Sequence, residues 1–127
     1  MISNFSRNSI LRKLKRNQTM HFESIIRQKV FSQGTYIIKQ GDEPSFGFLI
    51  QKGEVELTAE GMNDDEELSA GVFVGDVQAM LIGKKSRLSA KAVSDCTVFI
   101  AEKADLLEFL NANPKYLLTF STAHFFD

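Results

Sequence analysis

The chain has 127 residues, a formal net charge of −1, eleven phenylalanines and a single cysteine. This length suits one domain with its own core, and a lone cysteine excludes an intramolecular disulfide, which favours a reducing compartment. No apolar run reaches the roughly 18 residues that a membrane span needs, and the first residues lack the apolar segment of a secretory signal. We therefore expect a single cytoplasmic domain over residues 1–127, without a membrane span.

Charge is unevenly distributed along the chain. Positions 1–29 contain one acid, Glu23, and the basic residues Arg7, Arg12, Lys13, Lys15, Arg16, Arg27 and Lys29. Such a segment can mark contact with nucleic acid or a membrane surface, but no aromatic residues alternate with the basic ones as they do in single-strand binders. A solvated helix face is the alternative, and we favour it.

Apolar residues at helical spacing predict N-terminal helices over about residues 8–29. These residues are Ile10, Leu11, Leu14, Phe22, Ile25 and Ile26. Asn17 is a candidate N-cap for the second helix, because its side chain can accept hydrogen bonds from the exposed backbone N–H groups of a first helical turn.

From about residue 30 to residue 101 the pattern changes to short strands separated by turns. Gly34 marks a turn between two strands, and Phe46, Phe48 and Ile50 alternate as in a half-buried strand. Further strands are predicted at residues 54–59, where Val55, Leu57 and Ala59 share one face, and at residues 68–70, 88–92 and 97–100. Residues 61–67 are predicted to form an exposed hairpin loop.

Helical spacing returns over about residues 103–126. The apolar positions are Leu106, Leu107, Phe109, Leu110, Leu117, Leu118, Phe120 and Phe125. Asn113-Pro114 marks the junction between two helices, because proline suits the first turn of a helix. Helices at both ends of roughly seven or eight short strands predict a mainly β fold, a small barrel or jelly roll.

Three glycine-containing segments follow one another in the strand region. They are residues 30–42 (VFSQGTYIIKQGD), 48–57 (FLIQKGEVEL) and 71–76 (GVFVGD). In this order they resemble the cyclic-nucleotide-binding domain of catabolite-activator-type regulators, kinase A regulatory subunits and nucleotide-gated channels. The resemblance runs from about residue 20 to about residue 125. It implies an antiparallel β jelly roll, or double-stranded β-helix, with short N- and C-terminal helices.

The resemblance also implies a ligand site between Gly71 and Ala92. In the family a phosphate-binding cassette wraps the cyclic phosphate here with backbone N–H groups, an acid that binds the ribose 2′-hydroxyl and an arginine that binds a phosphate oxygen. The candidate ligand-binding residues are Gly75, Asp76, Val77, Gln78, Arg87, Leu88 and Ser89. Arg87 is the candidate phosphate partner, and a charge-assisted bond of this kind contributes roughly 1.5–3 kcal/mol.

The cassette departs from the family pattern at three points. Asp76 stands where most nucleotide binders have the longer glutamate, and Ser86 replaces the usual proline before the arginine. Counted back along the predicted strand, the family's inward arginine position falls on Ser86. Arg87 lies one residue later, where strand alternation turns a side chain to the opposite face. A bulge or a shorter loop would restore Arg87 to the inward face.

We predict a non-catalytic sensor module that binds cAMP or cGMP and relays binding by movement of its C-terminal helix. The alternative is a degenerate domain that has lost nucleotide binding and serves in protein interaction or dimerisation. An enzyme of the cupin type needs inward histidines for a metal, whereas His21 and His124 lie outside the predicted strands. Cys96 is interpreted as a structural buried thiol. No cofactor, catalytic residue or metal ligand is expected.

The C-terminal segment, residues 114–127, is the candidate output surface. Its apolar residues cannot all stay in water, so we expect packing on the barrel mouth and against a second copy or a partner protein. They are Tyr116, Leu117, Leu118, Phe120, Phe125 and Phe126. The chain ends at Asp127, too soon after this helix begins for a helix-turn-helix, so direct DNA binding by that motif is not expected.

Overall fold

The computed structural model describes residues 14–61, 63–117 and 120. Its strands are β1 (Ile26–Phe31), β2 (Tyr36–Ile38), β3 (Phe46–Lys52), β4 (Val55–Ala59), β5 (Glu66–Leu68), β6 (Phe73–Val74), β7 (Leu88–Ala92) and β8 (Cys96–Glu102). Its helices are α1 (Arg16–Ile25), α2 (Val77–Ile82) and α3 (Lys103–Ala112), and a 3₁₀ turn follows over Pro114–Tyr116.

The strands form two four-stranded sheets with the orders β1-β8-β3-β6 and β2-β7-β4-β5. Within the described residues, neighbouring strands pair antiparallel. Each sheet joins strands that are distant in sequence, such as β1 with β8, as a jelly roll does. The predicted fold class, an antiparallel jelly roll with short helices at both ends, is confirmed.

Alternating side chains form the core between the two sheets. Val55, Leu57 and Ala59 of β4 are buried and Thr58 is exposed, as the sequence predicts. Strand β7 repeats the pattern, since its buried residues alternate with partly exposed ones. We call the cluster that contains these side chains the inter-sheet core; it also includes Phe48, Ile50, Val98 and Ile100.

Strand β3 is buried on both faces, so the prediction of a half-buried strand is wrong. Phe48 and Ile50 belong to the inter-sheet core, whereas Leu49 belongs to a second cluster that lies under the helices. Helix α3 packs against β3 and β8 and covers the face that a strand pattern alone would leave in water. The sequence of a strand that is covered on both faces is typically a nearly continuous apolar run.

Phenylalanine rings dominate this second cluster, which we call the helix-side core. The ring of Phe120 lies 4.9 Å from that of Phe73 and 5.9 Å from that of Phe109, both nearly edge to face. Phe22 of α1 lies 5.5 Å from Phe109. Such edge-to-face pairs add to the free energy gained by burial. Phe109 and Phe120 are therefore core residues; Phe125 and Phe126 lie outside the described residues.

The N-terminal helix ends earlier than predicted. Helix α1 stops at Ile25, and residues 26–29 belong to β1, which pairs with β8 from Ile26↔Ala101 to Phe31↔Cys96. Helical spacing is local, and the partner strand overrides it. Asn17 is not the N-cap, because α1 already begins at Arg16. The part of the predicted helices before residue 14 lies outside the described residues.

Two further boundaries differ from the sequence-based expectation. The strand predicted at residues 68–70 is instead β5, because Glu66–Leu68 pair with β4 and place Leu68 opposite Val55. The exposed hairpin loop is correspondingly shorter. At the C-terminal end, α3 stops at Ala112, and Asn113-Pro114 separates it from the next turn as predicted.

Candidate functional site

The residues of the predicted cassette lie between β6 and β7, around helix α2. Gly75 is buried where β6 leaves the first sheet. A Cβ atom at this position would lie 3.0 Å from the Cα of Gly47 and 3.5 Å from the ring of Phe73. The structure thus gives a packing reason for this glycine, since a side chain would push β3 and the cassette apart.

Asp76 determines where α2 begins. Its Oδ1 accepts a hydrogen bond from the backbone N–H of Ala79 at 3.1 Å, which is the N-cap geometry that starts a helix. The helix ends at Gly83, whose φ of 67° places it in the left-handed region that favours glycine at helix C-termini. Both ends of this short helix therefore follow from residue types in the sequence.

Arg87 forms a two-point ion pair with Asp76. Its Nε donates to Asp76 Oδ2 at 3.0 Å, and its Nη2 donates to Asp76 Oδ1 at 2.7 Å. The backbone N–H of Arg87 also donates to Oδ2 at 2.9 Å. Nη2 is 3.2 Å from Gln78 Oε1. A planar guanidinium held at two points by a carboxylate has a defined orientation.

Burial and the ion pair act in opposite directions on the pKa of Asp76. Burial by itself raises the pKa of Asp76, but hydrogen bonds from the guanidinium and the backbone of Arg87 and from Ala79 outweigh it, and the pKa falls below its usual value. The hydrogen bond to Asp76 raises the pKa of Arg87, against the effect of burial. Both groups are therefore ionised at neutral pH.

The structure resolves the register of the strand that follows. Ser86 is buried, with 3% of its surface exposed, and its Oγ donates to the carbonyl of Leu88 at 2.9 Å. Ser86 therefore occupies the inward position, as the register predicts. Arg87 nevertheless reaches the cassette without a bulge, because it precedes β7 and its side chain extends to Asp76.

The predicted site residues are not all brought together. Asp76, Gln78 and Arg87 share direct hydrogen bonds. Val77 is buried in the helix-side core and Leu88 in the inter-sheet core. Ser89 Oγ accepts from the backbone N–H of Gln40 at 2.8 Å, in the segment between β2 and β3. Asp76, Gln78 and Arg87 thus form one polar group. The side chains of Val77, Leu88 and Ser89 instead stabilise the backbone around it.

The segment between β2 and β3 pairs with Ser86, the residue before Arg87, and the strand patterns did not predict this contact. Gly41 N–H donates to the carbonyl of Ser86 at 2.9 Å, and Ser86 N–H donates to the carbonyl of Asp42 at 2.8 Å. A cleft of about 80 Å³ lies here, lined by Ile37, Ile38, Lys39, Asp42, Glu43, Pro44, Ser45, Phe46 and Ser86. Small-molecule pockets usually exceed about 300 Å³. This cleft is smaller than that, and none of the predicted ligand-binding residues lines it.

Other kinds of site find little support in the described part of the chain. Residues 14–61, 63–117 and 120 contain no group of three or more His, Cys, Asp or Glu side chains arranged to hold a metal ion. Burial raises the pKa of the Cys96 thiol, which disfavours the reactive thiolate. None of the helices described here has the length and apolar character needed to cross a membrane.

Residues 28–113 match the family model of the Cyclic nucleotide-binding domain. The chain is 26% identical over 126 residues, 96% of its length, to the cGMP-dependent 3′,5′-cGMP phosphodiesterase A of Dictyostelium discoideum. It is 28% identical over 96 residues, 71% of its length, to the cyclic nucleotide-gated channel alpha-3 of Homo sapiens. In both cases it spans 14% of the relative.

Two solved structures share the fold. A PKAR CBD2 chain with bound Sp-2Cl-cAMPS superimposes with a TM-score of 0.71 at 21% identity, covering 91% of this chain and 85% of that one. The Thermus thermophilus Catabolite Activator Protein gives a TM-score of 0.70 at 21% identity, covering 86% and 53%. At this identity the likeness shows the fold alone. With most of its length matching the family, the chain belongs to the cyclic nucleotide-binding domain family, whose domain is a regulatory module.

Proposed function

We propose that the domain is a non-catalytic regulatory module that binds a cyclic nucleotide, cAMP or cGMP, through the cassette between β6 and β7. The observation that carries the proposal is the orientation of Arg87. Asp76 and Gln78 hold its guanidinium, and 36% of the side chain remains exposed. An oriented arginine is the residue type that proteins use to bind phosphate. The names of the relatives support a cyclic nucleotide as the ligand.

The proposed site consists of Gly75, Asp76, Val77, Gln78, Arg87, Leu88 and Ser89. Arg87 binds the cyclic phosphate, and Gln78 helps to orient it. Gly75 and Val77 fix the backbone of the cassette by packing. Leu88 and Ser89 anchor the start of β7, from which Arg87 extends. In this proposal the site needs no cofactor, and the free Cys96 thiol agrees with a cytoplasmic protein.

The helix-side core supports a route for the signal. Val77 and Met80 of the cassette helix belong to the same cluster as Phe109 of α3 and Phe120. Because cores are close-packed, a shift of α2 on ligand binding requires these neighbours to repack. We include this relay to the C-terminal segment in the proposal, with a second copy or a partner protein as its receiver.

Calorimetric titration with cAMP, cGMP and cyclic dinucleotides tests the proposal. We expect saturable binding of cAMP or cGMP, weakened about tenfold to a hundredfold in Arg87→Ala, because a hydrogen bond to a charged group is lost. Lys91→Ala is the matched control. It also removes a positive charge, from the strand β7 that follows Arg87, but Lys91 lies over the ring of Tyr36 and away from Asp76. Absence of binding for every nucleotide would contradict the proposal.

A second candidate function is protein interaction without nucleotide binding. One observation favours it: Ser86, and not Arg87, occupies the inward position. This candidate predicts no heat with any cyclic nucleotide, together with a stable dimer in light scattering. Binding of cAMP or cGMP by the wild-type chain excludes it.

A further inference from the structure

The carboxylate of Asp76 is fully occupied by its own chain. Oδ1 accepts from Ala79 N–H at 3.1 Å and from Arg87 Nη2 at 2.7 Å, and Oδ2 accepts from Arg87 N–H at 2.9 Å and Nε at 3.0 Å. An ionised carboxylate offers about four lone-pair positions. The four N–H groups fill them, and 0% of the Asp76 side chain is exposed.

A ribose hydroxyl would have to displace one of these donors. Two of them belong to a cationic guanidinium, whose positive charge adds Coulomb attraction to its two-point hydrogen bonding of the carboxylate, whereas a ribose hydroxyl is neutral and donates one hydrogen bond. The other two are backbone N–H groups that hold the start of α2 and the start of β7 in place. The exchange would replace a stronger bond by a weaker one or release a buried donor, so it is unfavourable.

Resting on the proposed nucleotide site, we infer that this cassette recognises the cyclic phosphate and is indifferent to the 2′-hydroxyl of the sugar. Asp76 is then a positioning residue that fixes Arg87, and it does not contact the ligand. The ligand class is cyclic nucleotides with either ribose or 2′-deoxyribose.

Calorimetry of the full chain with cAMP and 2′-deoxy-cAMP, and with cGMP and 2′-deoxy-cGMP, tests this inference. We expect the two dissociation constants of the pair that binds to agree within about threefold. A larger preference for the ribonucleotide would overturn the inference while leaving the proposed function intact. Binding of none of the four contradicts the proposed function, and the inference falls with it.

The Asp76→Asn variant separates positioning from contact. If Asp76 only orients Arg87, this variant weakens the binding of the ribose and deoxyribose nucleotides by the same factor. It also speeds hydrogen exchange at Arg87 Nε–H, measured by NMR. A selective loss of affinity for the ribonucleotide would instead show that Asp76 contacts the 2′-hydroxyl. If the variant does not fold, the comparison of the two sugars in the wild-type chain decides the question alone.

Discussion

At the scale of single residues, the Asp76–Arg87 pair combines a buried acid with a partly exposed base. The Asp76 side chain is 0% exposed and that of Arg87 36%. Removing one partner of a buried pair leaves an uncompensated charge, which is more costly than losing a surface pair. Another ion pair in the described structure, Arg27–Glu102 at 2.8 Å, is largely exposed and provides an internal comparison.

We expect Arg87→Ala to lower the free energy of unfolding by about 1–3 kcal/mol, because it leaves the Asp76 carboxylate buried without its cation. The partial exposure of Arg87 keeps the loss below that of a fully buried pair. Arg27→Ala should cost about 0–1 kcal/mol, as exposed pairs do. Urea unfolding of the three proteins measures both losses. Equal losses would show that the burial of Asp76 has no energetic consequence.

The lowered pKa of Asp76 predicts how stability depends on pH. The folded-state pKa lies below the unfolded value of about 3.9, so the unfolded chain binds more protons in the interval between them. This contribution to stability is complete above about pH 5 and is lost as the pH falls through the folded-state pKa. Comparison of urea midpoints at pH 5 and pH 3 should show a smaller drop in Asp76→Asn than in the wild type. An identical drop in the two proteins would contradict the prediction.

At the scale of elements, the turns of the jelly roll differ in how strictly they require glycine. Gly53 lies between β3 and β4 with φ +96°, and a Cβ there would lie 2.5 Å from the carbonyl oxygen of Asp95 and 2.9 Å from Cys96 Sγ. Gly34 lies between β1 and β2 with φ +91°, but a Cβ there would meet no atom within 4 Å. The two positions share the backbone strain and differ in the clash.

We therefore expect Gly34→Ala to lower the free energy of unfolding by about 1–2 kcal/mol, because alanine disfavours the left-handed backbone. Gly53→Ala should lose about 1–3 kcal/mol more, because the methyl group also forces β4 away from the start of β8. The difference in urea unfolding free energy between the two variants isolates the cost of the clash. If both variants lose the same amount, the close approach at Gly53 is relieved at no cost.

At the scale of the whole molecule, the two cores have separate roles. The inter-sheet core joins the two sheets, whereas the helix-side core joins α1, α2 and α3 to the outer face of the first sheet. Val77 and Met80 of the cassette helix lie in the second of these cores, together with Phe109 and Phe120. Tyr116 and Phe120 were expected to pack on the barrel mouth, but they pack on the outer face of the first sheet.

Hydrogen exchange with and without the bound nucleotide tests the proposed relay. We expect changed protection in residues 103–120, because α2 cannot move without repacking the helix-side core. Strand β4 lies in the other sheet and serves as the internal control. Identical protection of residues 103–120 in both states, together with a monomeric mass, would rule out the coupling.

Much of the fold was predictable because strand burial is a local pattern. Val55, Leu57 and Ala59 alternate with polar residues, and the inward register of Ser86 followed from the same period of two. The errors occurred where a second element covers a segment. Residues 26–29 have helical spacing but pair with β8, and β3 alternates yet lies under α3.

The candidate residues of the site, including Asp76, Gln78 and Arg87, and the departure at Ser86 were available from the sequence through its resemblance to the family. The occupation of all four acceptor positions of Asp76 by N–H groups of Ala79 and Arg87 is visible in the folded structure alone. Alternation along a strand specifies which face a side chain occupies, but the partners of each oxygen depend on how residues 75–87, including α2, fold between β6 and β7. That closure results from packing across both cores, which no local pattern encodes.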